Sequence, residues 1–307
     1  MKIKLTDVPA FISAQEIEAQ CSLREAIETQ RKVFINHARG ETVLGPRAVL
    51  SQGDNAQFSY IARASQSGPT IVKFGTVFPG NSAHNLPAVQ TTVAVMNEKN
   101  GSLTHFFDGE SVTQLRTVAT SMAVAMELVP HAEKIGIVGL GHQGVAHARA
   151  ARELFSPREL IGISRTSTTN SHDEFSDIGS DIRQLQDCDL IVLCTNSQSP
   201  VIREAMKPDS LCISIGSFAP HRCEVEPRLL MNAQSVYVDD VAISSQQCGS
   251  VCEALKTVSQ PWEALKSIGS LFAKEGKTRI TGENYFFSVG LGIQDAALVE
   301  YILGKVA

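Results

Sequence analysis

Two kinds of hydrophobic pattern divide the chain. Up to about residue 115, the segments FSYIARA, TIVKFGTVFP, VQTTVAVMN and GSLTHFFDG carry alternating or half-buried apolar positions broken by Gly, Pro and Asn turns. That is the pattern of antiparallel strands. The NEKNG stretch between the last two predicts a hairpin, and AQEIEAQCSLREAIETQRKVFINHA predicts one helix ahead of them. From about residue 133 to 240 the pattern changes to short continuous apolar runs: EKIGIVGL, LIGIS, LIVLCT, LCISIGS and VYVDD. Helical or loop segments separate them, among them HQGVAHARAARELF with its Ala/Leu face. Such runs are parallel strands buried on both faces, so this part predicts a doubly wound α/β sheet.

Between the two parts, SVTQLRTVATSMAVAMELV predicts a long helix with Thr113 as its N-cap. The segment SVGLGIQDAALVEYILGKV turns helical after Gly292 and is expected to return to the first part.

Composition narrows the picture. With 307 residues, 43% of them hydrophobic and 19% charged, the chain has the profile of a folded protein with a sizeable core. A net charge of −5 argues against a general nucleic-acid or anionic-membrane surface. The seven cysteines include no C-x-x-C pair, and several sit in apolar runs where a thiol acts as a small core residue. A reducing compartment fits them. No window approaches a membrane span or a signal-length apolar block, so the expected location is cytoplasmic.

The chemistry begins at KIGIVGLGHQG. Gly139, Gly141 and Gly144 stand in G-x-G-x-x-G spacing after a strand and before a helix, with His142 and Gln143 inside the loop. Gly139 suits the tight turn, Gly141 close approach to phosphate and Gly144 close helix–strand packing. The helix N-terminus then offers unpaired N–H groups to an anion, and the loop predicts a bound dinucleotide. The next strand ends in Ser164, Arg165, Thr166 and Ser167, with no carboxylate before Asp173. A 2′-hydroxyl site places Asp or Glu there, whereas a 2′-phosphate site uses Arg and hydroxyls. NADP(H) is therefore the expected cofactor; the alternative is that Arg165 is a solvated loop residue. His142 and His147 have no third ligand nearby, and no metal is expected.

Three further cations stand out: Arg47 in LGPRAVL, Lys73 in TIVKFGTVFPGN and Arg116 in VTQLRTVAT. Lys73 sits mid-strand among apolar residues, where an unpaired ammonium is costly. Arg116 falls in the first turn of its expected helix, against the macrodipole unless an anion is near. Singly each reads as a snorkelling or salt-bridged residue. Together they suggest a clamp for a substrate carboxylate.

On GPRAVL, VKFGTVFPGN, LPAVQTTVAVMNEKNGSLTHFFDGESVTQLRTVAT, GIVGLGHQG and SVGLGIQD, the chain resembles the ornithine cyclodeaminase/μ-crystallin family over nearly its whole length. The resemblance implies a Rossmann domain at 119–287 inserted into a split α+β substrate and dimerisation domain, 1–118 plus 288–307, in a homodimer. By position, Arg47, Lys73 and Arg116 match the family's carboxylate clamp, and Lys73 and Asp295 a pair proposed as catalytic in its alanine dehydrogenases. Thr117, Thr195, Asn196 and Val289 fall where members approach the nicotinamide or a phosphate.

Phe218 stands where cyclodeaminases carry an acid, which together with the SRT end favours the reductase branch. The expected reaction is reduction of Δ1-pyrroline-2-carboxylate or Δ1-piperideine-2-carboxylate, small cyclic imino acids, to L-proline or L-pipecolate. Asp295 is the first choice for the proton and Lys73 the second; alternatively Asp295 only caps or pairs with Lys73. Other readings are an alanine or N-alkyl-alanine dehydrogenase, an ornithine cyclodeaminase, and a non-catalytic small-molecule binder that keeps its dinucleotide.

Overall fold

The antiparallel strands of the first part pair in sequence order. In the computed structural model, which describes residues 8–84, 86–165, 173–258, 262–274, 276, 278 and 280–306, Asn55–Arg63, Thr70–Val77, Val89–Met96 and Leu103–Asp108 form consecutive antiparallel pairs. The hairpin between the last two closes over NEKNG. Val43–Leu44 and Ala48–Gln52 both pair with Asn55–Arg63, and Ala10–Ile12 adds a parallel edge to Leu103–Asp108.

The two faces of this sheet differ. Tyr60, Ala62, Ile71 and Lys73 are buried on the face that receives the helix Gly292–Val306. That helix lies so close that a Cβ on Gly292 would meet the Tyr60 ring and Ala62 at 2.8–2.9 Å. On the other face Ile61 and Phe74, with Leu50 on a neighbouring strand, are exposed.

The helix expected over 14–38 is two helices, Ala14–Gln20 and Leu23–Ala38. Cys21 is extended, and Ser22 starts a new capping box. Its N–H donates to Glu25 Oε2 (2.9 Å), and the Glu25 N–H donates to Ser22 Oγ (3.4 Å). The apolar period carries across the break, so only the cap chemistry marks it.

Thr113 is not a cap either. The long helix begins at Gly109, four residues earlier, where Asp108 Oδ1 accepts the Ser111 N–H (2.8 Å). Arg116 therefore lies beyond the first turn, and the macrodipole bears less on it than the sequence suggested.

Among the described residues, the second part forms an all-parallel sheet of eight strands. Their order is Asp177–Gly179, Glu159–Ile163, Lys134–Val138, Leu190–Leu193, Ser210–Ser214, Glu283–Phe287, Ser235–Val238 and Leu265–Ser267. The five apolar runs all form strands here. ENYFF adds one that sequence reading missed, placed between Ser210–Ser214 and Ser235–Val238. The chain divides into one compact unit of Met1–Arg116 with Leu291–Ala307 and another of Thr117–Gly290, the first break falling inside the helix Gly109–Leu128.

Replacing Ser22 with Ala should lower stability by about 1 kcal/mol and Ser22→Gly by only a few tenths, read from thermal or urea unfolding. Equal losses in the two variants would mean that the capping box does not hold the break.

Candidate functional site

Of the three cations singled out in the first unit, Lys73 and Arg116 converge on one carboxylate. Tyr60 and Lys73 are register partners on adjacent strands, so their side chains leave the same face of the sheet. Asp295 meets them from the first turn of the helix Gly292–Val306. Lys73 Nζ donates to Asp295 Oδ1 at 2.7 Å, and Tyr60 Oη donates to Oδ2 at 2.8 Å. Lys73 also donates to Thr113 Oγ1, whose own proton goes to the Gly109 carbonyl. Arg116 Nε lies 3.8 Å from Asp295 Oδ1, and its Nη1 donates to Gln294 Oε1 at 3.2 Å. The Arg47 guanidinium lies over the Tyr60 ring, 5.6 Å from its centroid, with the side chain exposed.

Lys73 and Asp295 are 2% and 0% exposed, which makes their electrostatics strong. Burial lowers the Lys73 pKa to about 8, helped by the charges of Arg116 and Arg47 and opposed by Asp295. On Asp295, burial is the largest influence and acts upward. The charges of Lys73 and Arg116, with the hydrogen bonds from Lys73 and Tyr60, outweigh it and hold the carboxyl below its ordinary value. Burial and the adjacent Asp295 charge raise the Tyr60 phenol well above its usual range. Near neutral pH the cluster is thus a carboxylate held by a tyrosine hydroxyl and an ammonium poised to lose its proton.

The second unit presents the glycine loop. Gly139 has φ +88°, a left-handed conformation that suits glycine. A Cβ on Gly144 would lie 1.9 Å from the Gly139 carbonyl oxygen, so helix His142–Phe155 can approach the turn only with glycine there. Gly141 is the opposite case. Its φ is an ordinary −79°, a Cβ there would meet no heavy atom within 4 Å, and no side chain caps the helix. Beside it, Gln143 Oε1 is buried with no hydrogen-bond partner among the described residues. An open helix N-terminus flanked by a bare backbone fits a pyrophosphate.

Around this loop, His142 and Arg165 are exposed and Ser164 is half-buried, its N–H donating to the Gly179 carbonyl (3.0 Å). Thr166 lies outside the described residues. Thr117 is buried in the long helix, one residue past Arg116. His147 is fully buried between the Gln143 carbonyl and Ser121 Oγ, and burial lowers its pKa to about 4, so it is a neutral core residue. Among the described residues no cluster of His, Cys, Asp or Glu could hold a metal ion.

Thr195 and Val289 are each fixed by a buried carboxylate that sequence reading missed. Glu224, 0% exposed, accepts from the Thr195 N–H (2.7 Å), Thr195 Oγ1 (2.6 Å), the Gly216 N–H (2.8 Å) and Ser214 Oγ (2.6 Å). Burial raises its pKa while these donors act against the rise. Asp239 Oδ2 accepts from Ser288 Oγ (3.0 Å) and from the N–H groups of Val289 and Gly290 (both 2.8 Å). Asn196, next to Thr195, is exposed. Asp239 had a readable signal, a carboxylate at the end of strand VYVDD. Glu224, in RCEVE, had none.

The Ornithine cyclodeaminase/mu-crystallin family model matches residues 7–307. The iminosuccinate reductase of Paracoccus denitrificans is 25% identical over 95% of each chain. Delta(1)-pyrroline-2-carboxylate reductase 2 of Burkholderia ambifaria is 26% identical over 95% of this chain and 94% of that one. Among solved structures, the Delta(1)-pyrroline-2-carboxylate reductase of Thermococcus litoralis, in complex with NADH and L-proline, matches with a TM-score of 0.85 and 18% identity over 97% of each chain.

Two glycine substitutions separate packing from ligand approach. Gly144→Ala should lower stability by about 3 kcal/mol or prevent folding. Gly141→Ala should keep the wild-type melting temperature but weaken dinucleotide binding about tenfold, measured by fluorescence titration. An unchanged affinity in Gly141→Ala would remove the loop from the binding site.

Proposed function

Because the chain belongs to the ornithine cyclodeaminase/mu-crystallin family, we propose that it is a nicotinamide-dependent reductase of imines derived from 2-oxo acids. The expected substrates are the cyclic ketimines Δ1-pyrroline-2-carboxylate and Δ1-piperideine-2-carboxylate, and the products L-proline and L-pipecolate. The observation that carries this reading is the buried Lys73, with a pKa near 8, ion-paired with a carboxylate that stays ionised.

When bound, the dinucleotide supplies a hydride to the imine carbon; the nitrogen must gain a proton. The glycine loop and the helix N-terminus at Gly141 would hold the pyrophosphate, and Ser164 and Arg165 the 2′-phosphate of NADP(H). Thr195, Asn196 and Val289 would lie toward the nicotinamide end. Arg47, Arg116 and Lys73 would hold the substrate carboxylate, and orientation of this kind supplies on the order of 7–11 kcal/mol of a barrier.

The cluster's electrostatics favour Lys73 over Asp295 as the proton source. Asp295 is held below the ordinary carboxylate range and carries no proton near neutrality, whereas Lys73 carries one with a pKa close to the working pH. Asp295 then keeps Lys73 aimed and restores its charge when the proton returns. Cyclodeamination finds less support. The loop Gly216–Arg222 offers no carboxylate, and Glu224 behind it is committed to four donors.

The same reading covers assembly. Leu50, Ile61 and Phe74 leave apolar positions exposed on the sheet face opposite the one that carries Lys73, and a second copy covering them would form a homodimer. Among the described residues, no helix is long and apolar enough to cross a membrane.

The function is tested by following NADPH and NADH oxidation with the two cyclic imines, pyruvate plus ammonia, and pyruvate plus methylamine. Turnover with the cyclic imines, and a lower KM for NADPH, is expected; no oxidation with any of them would overturn the reading. Lys73→Met should abolish turnover while leaving dinucleotide affinity intact.

The pH profile tests the proton's origin. The ammonium form of Lys73 is populated below about pH 8, so log kcat/KM for reduction should fall with unit slope as pH rises through that value. A flat profile up to pH 10 would take the proton away from Lys73.

A further inference from the structure

Two neutral hydroxyls, those of Tyr60 and Thr113, bear on the Lys73 proton from opposite sides. Lys73 Nζ donates to Asp295 Oδ1 and to Thr113 Oγ1. Asp295 Oδ2 accepts the Tyr60 hydroxyl at 2.8 Å. The ammonium and the phenol thus draw on one carboxylate, each through its own oxygen.

The surroundings leave these contacts little freedom. A Cβ on Gly292 would meet two carbons of the Tyr60 ring at 2.8 and 2.9 Å, so the helix backbone lies against the ring. The Phe58 ring lies nearly parallel to it, with centroids 6.3 Å apart and 18° between the planes. Tyr60 is 6% exposed, and burial together with the Asp295 charge keeps its phenol protonated. Its hydroxyl can therefore only donate to the carboxylate. Thr113 is oriented as well. Its own proton goes to the Gly109 carbonyl, so toward Lys73 it can only accept.

The charges around Lys73 come from three elements. Burial is the largest influence on its proton and acts to release it. Asp295, on the last helix, retains the proton, while Arg116 on the long helix and Arg47 before strand Ala48–Gln52 expel it. The strand partners of Lys73 are Tyr60 on one side and the apolar Val93 on the other. Against this background the two hydroxyls act with opposite sign. A hydrogen bond made to a charged form favours that form. Thr113 accepts from the ammonium and so retains the proton. Tyr60 donates to the carboxylate and spreads its charge, which weakens the pull of Asp295 on the ammonium.

We propose that Tyr60 and Thr113 are positioning residues that set the pH range of reduction in opposite directions, Tyr60 by loosening the hold of Asp295 on Lys73 and Thr113 by steadying the ammonium. This deepens the imine-reductase reading and rests on it for the role of Lys73. The proton still passes from Lys73 Nζ to the imine nitrogen. Neither hydroxyl needs to meet substrate, because each acts through Lys73.

The test follows the falling limb of log kcat/KM against pH in the wild type, Tyr60→Phe and Thr113→Val. Tyr60→Phe keeps the ring and bares Oδ2, so its limb should move up by about one pH unit. Its kcat at low pH should fall about threefold, since Lys73 becomes a weaker acid. Thr113→Val keeps the shape of the side chain and removes an acceptor, so its limb should move down by about half a unit. Dinucleotide affinity should match the wild type in both.

Contrary displacements are the signature, because packing damage has no reason to give the two variants opposite signs. Limbs that move in the same direction, or that stay in place in either variant, overturn the proposal. If no imine of any kind is reduced, the imine-reductase reading has failed, and the titration of Lys73 is read directly. In carbon NMR of protein labelled at lysine Cε, the Lys73 signal is the one absent from Lys73→Arg. Its midpoint should rise in Tyr60→Phe and fall in Thr113→Val; midpoints that move together or not at all overturn the proposal there too.

Discussion

Burying an ammonium and a carboxylate together is expensive, because each gives up several kcal/mol of hydration that their attraction restores only when the remaining polar atoms are also satisfied. The Lys73–Asp295 pair meets that condition on both sides. Tyr60 occupies the second carboxylate oxygen, and Thr113 gives Lys73 another acceptor while passing its own proton to Gly109. Two strands, the start of the long helix and the start of the last helix must all be in register for these bonds to form. Removing either charge from such a pair typically costs 3–5 kcal/mol, so the same pair that gives Lys73 its pKa also locks the unit's elements to one another.

The sheet of the second unit solves a different problem. Here two carboxylates, Glu224 and Asp239, are buried among loops of the sheet. Each accepts from backbone N–H groups and hydroxyls at the carboxyl ends of strands. Charge-assisted bonds of this kind are stronger than neutral ones, and they fix loops that would otherwise be mobile. Thr195, Val289 and the Phe218–Arg222 loop derive their positions from them. The loops at the carboxyl ends of the strands are thus set by buried acids.

How much of this was legible depended on whether a residue's oddity was local. The glycine loop was readable because spacing, preceding strand and following helix all sit within a dozen residues, and Lys73 because a charge amid Ile, Val and Phe is conspicuous. Tyr60 was not, since a tyrosine in a strand reads as packing until its register partner is known. Asp295 entered only through resemblance; a lone acid early in a helix looks like an ordinary dipole partner. Glu224 was illegible for a stronger reason. Its partners are mostly backbone groups and hydroxyls up to 29 residues away, and such groups leave no compositional trace. The break at Cys21–Ser22 and the strand ENYFF were missed for related causes, one masked by a continuing apolar period and the other by its late place in the chain.

The insertion of Thr117–Gly290 between Arg116 and Leu291 also imposes an order in time. Lys73 leaves the ribosome 222 residues before its counter-ion. Synthesis at roughly 5–20 residues per second makes that an interval of tens of seconds at the slower end. Throughout it, the strand Thr70–Val77 cannot bury its ammonium without paying the full desolvation penalty. The parallel sheet has all its strands available before Asp295 appears, so the inserted unit can mature first while the unit that encloses it waits. The site's charge pair can therefore form only after the chain through Asp295 has been made.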